Sequence, residues 1–93
     1  MSKAPGAVLL DNFMKPAGLT SRQLARQLRV PANRISEIVR GAKSVTAETA
    51  LLLAERFGTT PEFWMHLQVA VDLEAARAKR IAKPHRSRSQ AAP

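Results

Sequence analysis

Residues 19–41 read LTSRQLARQLRVPANRISEIVRG, and the fold turns on how this stretch is parsed. Thr20 stands before an apolar-periodic run, and Gln23 follows three residues later. That is the pattern of a capping box, in which the cap hydroxyl accepts from the N3 amide and the N3 side chain reaches back to the cap's own N–H. Leu19 and Leu24 are placed to close a hydrophobic staple across the same cap. Leu24, Ala25 and Leu28 form one inward stripe, so the spacing predicts a helix over about 21–28. Arg29-Val30-Pro31 interrupts it. Proline is tolerated in the first turn of a new helix, where its missing N–H matters least. A further helix is therefore expected over about 32–39, stopped at Gly41, the residue type that tolerates a left-handed cap.

Two short helices joined by about three residues make a helix-turn-helix. The arrangement asks for a small residue where the helices pack, which Ala25 supplies, and for apolar anchors behind the second helix. Ile35, Ile38 and Val39 fall within about 100° of one another on its wheel. The opposite face carries Asn33, Glu37 and Arg40, with Ser36 beside them and Arg34 on one flank. Any amphipathic helix has a polar outer face, but the capped helix before it and the proline turn favour a recognition helix. Asn can pair bidentately with adenine and Arg with guanine, and Glu can accept from cytosine, so Asn33, Ser36, Glu37 and Arg40 are the expected base contacts in a major groove. Phosphate contacts are expected from the periphery: Ser21 and Arg22 at one helix N-terminus, Arg34, Lys43 in the following loop, and Thr46 at the next N-terminus.

Outward from this pair the punctuation continues. Pro5-Gly6 precedes Val8, Leu9 and Phe13, a first helix over about 7–15 that ends before Pro16 and Gly18. Thr46 caps a fourth helix over about 47–57, with Glu48 in its first turn, Ala50, Leu51, Leu53, Ala54 and Phe57 as apolar positions, and Gly58 as its stop. Thr60-Pro61-Glu62 starts a fifth, running to about Arg80. The expected architecture is all-α: five helices in a domain over residues 1–80, followed by a basic, disordered tail over 81–93. The fifth helix has two apolar stripes. Phe63, Trp64, Leu67, Ala70 and Val71 form one, to be packed on the domain's own core. Met65, Val69, Leu73 and Ala76 lie nearly opposite and are the expected homodimer interface. A dimer would present two recognition helices roughly 34 Å apart, one turn of DNA, to a palindrome.

Composition narrows the partners. The chain has 93 residues and a net charge of +8, from 15 Lys and Arg against 7 Asp and Glu. A basic excess favours a polyanion, but residues 1–76 hold nine bases and seven acids, so most of the excess lies in the last seventeen residues. There is no cysteine, which excludes disulfides and Cys-ligated zinc and fits a reducing, cytoplasmic setting. No apolar run approaches the roughly 18 residues of a membrane span, and the start MSKAPGAVLLDNF does not read as a signal peptide. His66 and His85 are the only histidines, the acids Asp11 and Glu37 stand apart, and the glycines are too scattered for a phosphate loop. No catalytic residue, metal or cofactor is therefore expected.

RVPANRISEIVRG, TAETALLLAERFGT and TPEFWMHLQ, with the following Asp72-Leu73, resemble the HigA antitoxins of the lambda-repressor-like helix-turn-helix superfamily. The resemblance covers about residues 5–76. It implies a five-helix lambda-repressor-like domain, a homodimer that represses its own toxin–antitoxin operon, and neutralisation of a HigB-like ribonuclease toxin. A stand-alone helix-turn-helix repressor without a toxin is the alternative. The chain departs from the family at the opening, at the turn and in the basic tail after Arg77, which exceeds the family core. The usual opening resembles His-Pro-Gly-Glu, and here it is Ala4-Pro5-Gly6-Ala7. The turn usually has glycine where this chain has Arg29, so either Arg29 accepts a positive φ, at a cost of about 1 kcal/mol or more, or the turn differs.

Overall fold

The computed structural model describes residues 3–82, and every element among them is helical. The first helix, α1, covers residues 5–17. It is α-helical over Pro5–Val8, opens to the wider π-turn over Leu9–Met14, and is α-helical again over Lys15–Ala17. It is longer than the expected 7–15 and runs through Pro16 rather than ending before it. The wider turn supplies the reason: the Lys15 N–H donates to the Leu10 carbonyl, five residues back. A looser ring gives room to the proline, which in a regular helix would press on the carbonyl four residues earlier. The helix closes at Gly18, whose φ of 67° lets the Leu19 N–H return to the Met14 carbonyl at 2.9 Å.

The next four helices, α2 (Ser21–Leu28), α3 (Ala32–Val39), α4 (Ala47–Phe57) and α5 (Pro61–Ala82), follow the sequence reading closely. The capping box forms in both directions: the Gln23 N–H donates to Thr20 Oγ1 at 3.1 Å and the Thr20 N–H to Gln23 Oε1 at 2.9 Å. Thr46 and Thr60 cap α4 and α5 with their hydroxyls, accepting from the Thr49 and Phe63 amides. α5 extends two residues past the expected end at Arg80. The remainder of the expected tail, 83–93, lies outside the described residues.

α2 packs chiefly on α3 and α4 chiefly on α5, while α1 lies against both α3 and α5. The shared core holds Leu9, Met14, Leu24, Ala25, Ile35, Ile38, Val45, Ala50, Leu53 and Trp64. Trp64 is fully buried, and its indole Nε1 donates to Thr59 Oγ1 at 2.7 Å, so its one polar atom is satisfied. Phe13 on α1 meets the rings of Phe57 and Trp64 with centroids 5.1 Å apart. These contacts pin α1 to both of the last two helices.

The two-stripe account of α5 needs correction. Phe63, assigned to the inner stripe, is 37% exposed, and Met65, assigned to the outer one, is half-buried against the core. Leu51, read as an apolar position of α4, is 59% exposed. The innermost line of α5 is instead Trp64 and Gln68, one helical turn apart. Val69, Leu73 and Ala76 are exposed, as the outer stripe requires.

Candidate nucleic-acid interface

α3 is seated from beneath by two kinds of contact. Ile35 and Ile38 are fully buried in the core. At the other side of its C-terminal turn it meets the backbone of α1 at Gly6. A Cβ on Gly6 would overlap the Ile38 carbonyl oxygen and lie 2.9 Å from both the Ile38 carbonyl carbon and the Val39 Cα. Only a residue without a side chain permits that approach.

The entry to α3 is a strained turn. Arg29 has φ 59° and ψ 44°, the one non-glycine among the described residues with positive φ. The Val30 N–H donates to the Ala25 carbonyl at 3.0 Å and the Arg29 N–H to the Arg26 carbonyl at 3.2 Å. The turn is thus the ordinary one, and Arg29 takes the strain.

On the outer face, Asn33 and Arg40 are exposed, and Ser36, Glu37 and Arg34 are half-buried. Asn33 and Glu37 are joined: Nδ2 of Asn33 donates to Oε2 of Glu37 at 3.2 Å. The Ser36 hydroxyl donates to the Asn33 carbonyl at 3.0 Å, which leaves its lone pairs outward. Arg40 is the C-cap of α3. Asn33, Ser36 and Glu37 are thus linked by hydrogen bonds along α3, and Arg40 stands at the helix end.

The expected phosphate-binding residues fall around it. Ser21 and Arg22 open α2, where first-turn N–H groups outside the capping box have no intrahelical partner. Lys43 is exposed in the loop after α3, and Thr46 caps α4 at that loop's far end. The loop is held at two points. The Ala42 and Lys43 N–H groups return to the Glu37 carbonyl at 2.8 and 3.2 Å. The Val45 N–H donates to Gln68 Oε1 at 2.8 Å, and Gln68 Nε2 donates in turn to Asp72 Oδ1 at 2.9 Å.

Gln68 and Gly6 were missed by sequence reasoning. Gln68 had a signal: it sits four residues after Trp64, on the same face, and a polar residue on a buried line needs a buried partner. Gly6 had none beyond its place at a helix start. His66 is exposed, and among the described residues no group of three or more His, Cys, Asp or Glu could hold a metal. Nor is any helix among them long and apolar enough to cross a membrane.

The helix-turn-helix family HTH_3 matches residues 10–64, which span α2, α3 and α4 with the C-terminal part of α1 and the first turn of α5. Antitoxin HigA-1 of Vibrio cholerae is 43% identical over 68 residues, which cover 73% of this chain and 64% of that protein. A HigA-family addiction module antidote protein from Coxiella burnetii superposes with a TM-score of 0.78 at 41% identity, over 95% of this chain and all of that one. Pseudomonas aeruginosa antitoxin HigA, solved with the higBA promoter, superposes with a TM-score of 0.82 at 34% identity, over 85% and 86% of the two chains. The chain spans between 61% and 67% of the length of the curated relatives that match at above 40% identity.

Proposed function

The chain belongs to the helix-turn-helix family HTH_3, and from that premise we propose that it is a cytoplasmic antitoxin and autorepressor: a homodimer that binds a palindromic operator in its own promoter and neutralises a HigB-like ribonuclease toxin. The observation that carries the reading is the outer face of α3. Asn33, Ser36, Glu37 and Arg40 lie on a helix whose inner side is filled by Ile35 and Ile38, and none of the four belongs to the buried core. The likeness, at 34% identity, to an antitoxin solved with promoter DNA supports DNA binding by this chain.

In this reading α3 lies in the major groove, with Asn33 and Arg40 against base edges. Ser21, Arg22, Arg34, Lys43 and Thr46 meet the flanking phosphates and set the register of the helix. Val69, Leu73 and Ala76 of α5, with Met65 at their inner edge, face the second subunit. The basic residues Lys83, Arg86 and Arg88 add affinity that is independent of sequence.

A gel-shift titration of the protein on its own promoter, against a scrambled duplex in moderate salt, tests the DNA-binding half. Retention of the promoter at submicromolar protein, with little of the scrambled duplex, is expected. Asn33→Ala and Arg40→Ala should each weaken that preference while circular dichroism stays unchanged. If both variants bind as the parent does, the face is wrongly assigned. Co-expression with the product of the adjacent gene tests the other half. Rescue of growth and co-purification identify a toxin partner, and their absence leaves a stand-alone repressor.

A further inference from the structure

Resting on the reading that α3 enters an operator's major groove, we propose that Glu37 is a positioning residue: it contacts no base itself but fixes the Asn33 amide in the orientation that selects adenine. Asn33 and Glu37 are one helical turn apart, and Nδ2 of Asn33 donates to Oε2 of Glu37 at 3.2 Å. An ionised carboxylate only accepts hydrogen bonds. The amide must therefore turn its nitrogen toward Glu37, since a flip would set oxygen against oxygen. The bond uses one of the two N–H donors on Nδ2. The second N–H and Oδ1 remain for the groove, and they are the donor and acceptor that adenine N7 and its N6 amino group complement.

Without that neighbour the side-chain amide is free to flip about χ2, and the flipped form offers its donor and acceptor in reversed order. The cost of the device is a negative charge carried into a groove lined by phosphates, which weakens binding to every sequence alike. Ser36 reinforces the site from the backbone side, its hydroxyl holding the Asn33 carbonyl at 3.0 Å. Discrimination is gained at one base pair and general affinity is given up.

The test uses the full chain and fluorescence anisotropy at fixed salt. The parent, Glu37→Gln, Glu37→Ala, Asn33→Ala and the double variant Asn33→Ala/Glu37→Ala are titrated on the promoter duplex, on a scrambled duplex, and on promoters with each base pair of one half-site replaced in turn. Thermal melts establish that each variant is folded. Glu37→Ala should bind the scrambled duplex more tightly than the parent does. It should also lose discrimination, on the order of tenfold, at the one base pair where Asn33→Ala loses it. The double variant should discriminate there no worse than Asn33→Ala alone. Glu37→Gln, which still offers an acceptor, should keep much of the discrimination while losing the charge penalty. A loss at a different base pair, additive with that of Asn33→Ala, would make Glu37 a direct reader and overturn the proposal. Unchanged discrimination in Glu37→Ala would overturn it equally. Parent protein that binds promoter and scrambled duplex alike would overturn the operator reading, and this role with it.

Discussion

Arg29 holds a φ of 59° at the point where α2 hands over to α3. Its Cβ crowds the backbone there, at about 1–2 kcal/mol, whereas glycine would lose only some chain entropy. Arg29→Gly should therefore stabilise the domain by about 0.5–1 kcal/mol and raise Tm by several degrees in a thermal melt. An unchanged or lower Tm would mean that the guanidinium makes a compensating contact. The residue-level features that the sequence made legible are the local ones. Thr20 and Gln23 declare their capping box because both partners lie within one turn, and Gly18, Gly41 and Gly58 announce three left-handed caps. Gly6 announces nothing, because what forbids its side chain is the carbonyl of Ile38, thirty-two residues away.

At the scale of elements, the link between α5 and the loop after α3 is the least expected. Gln68 accepts from the Val45 amide inside the protein and donates from its own amide nitrogen to Asp72. Gln68→Leu would strand a buried N–H, at a cost of about 1–3 kcal/mol. The variant should melt earlier, and the Val45 amide should exchange with deuterium faster than in the parent. It should also bind DNA less tightly, since Lys43 and Thr46 lie on the freed loop. Parent-like exchange at Val45 would show that another group holds the loop. Helix boundaries were mostly readable because caps and breakers are written locally: α2 and α3 fall where Thr20, Pro31 and Gly41 put them. The start of α1 and its passage through Pro16 were not, because the π-turn that accommodates the proline leaves no periodic mark in six residues. The sides of α5 were only half readable. Wheel angles put Phe63 and Met65 on opposite faces, but the core reaches round to Met65 and leaves Phe63 at its rim.

At the scale of the molecule, the described residues measure 48 × 22 × 21 Å. The long dimension belongs largely to α5, whose 22 residues span about 33 Å. From Ala75 to Ile81 it is exposed on every side, and Ile81 is 84% accessible. So short a free helical end is marginal in water by itself, which supports a second subunit along it. Val69→Glu should give monomers in sedimentation velocity and weaken operator binding in parallel. Persistent dimers would move the interface elsewhere, with Leu51 on α4 the next place to test. Deleting residues 83–93 removes Lys83, Arg86 and Arg88. The salt dependence of nonspecific binding should then flatten by up to about 0.9 in log–log slope for each phosphate that is no longer neutralised. A parallel slope would show that these charges do not touch DNA.

The seat of α3 carries one more consequence. The helix is held from below by two isoleucines and by a backbone-to-backbone approach at Gly6, while its outer residues bond chiefly to one another. In the proposed reading, stability and operator choice thereby rest on separate sets of positions. If the outer face reads DNA as proposed, a copy of this chain can take up a new operator by exchange of outer residues alone, without loss of stability, so that two such copies need not cross-regulate.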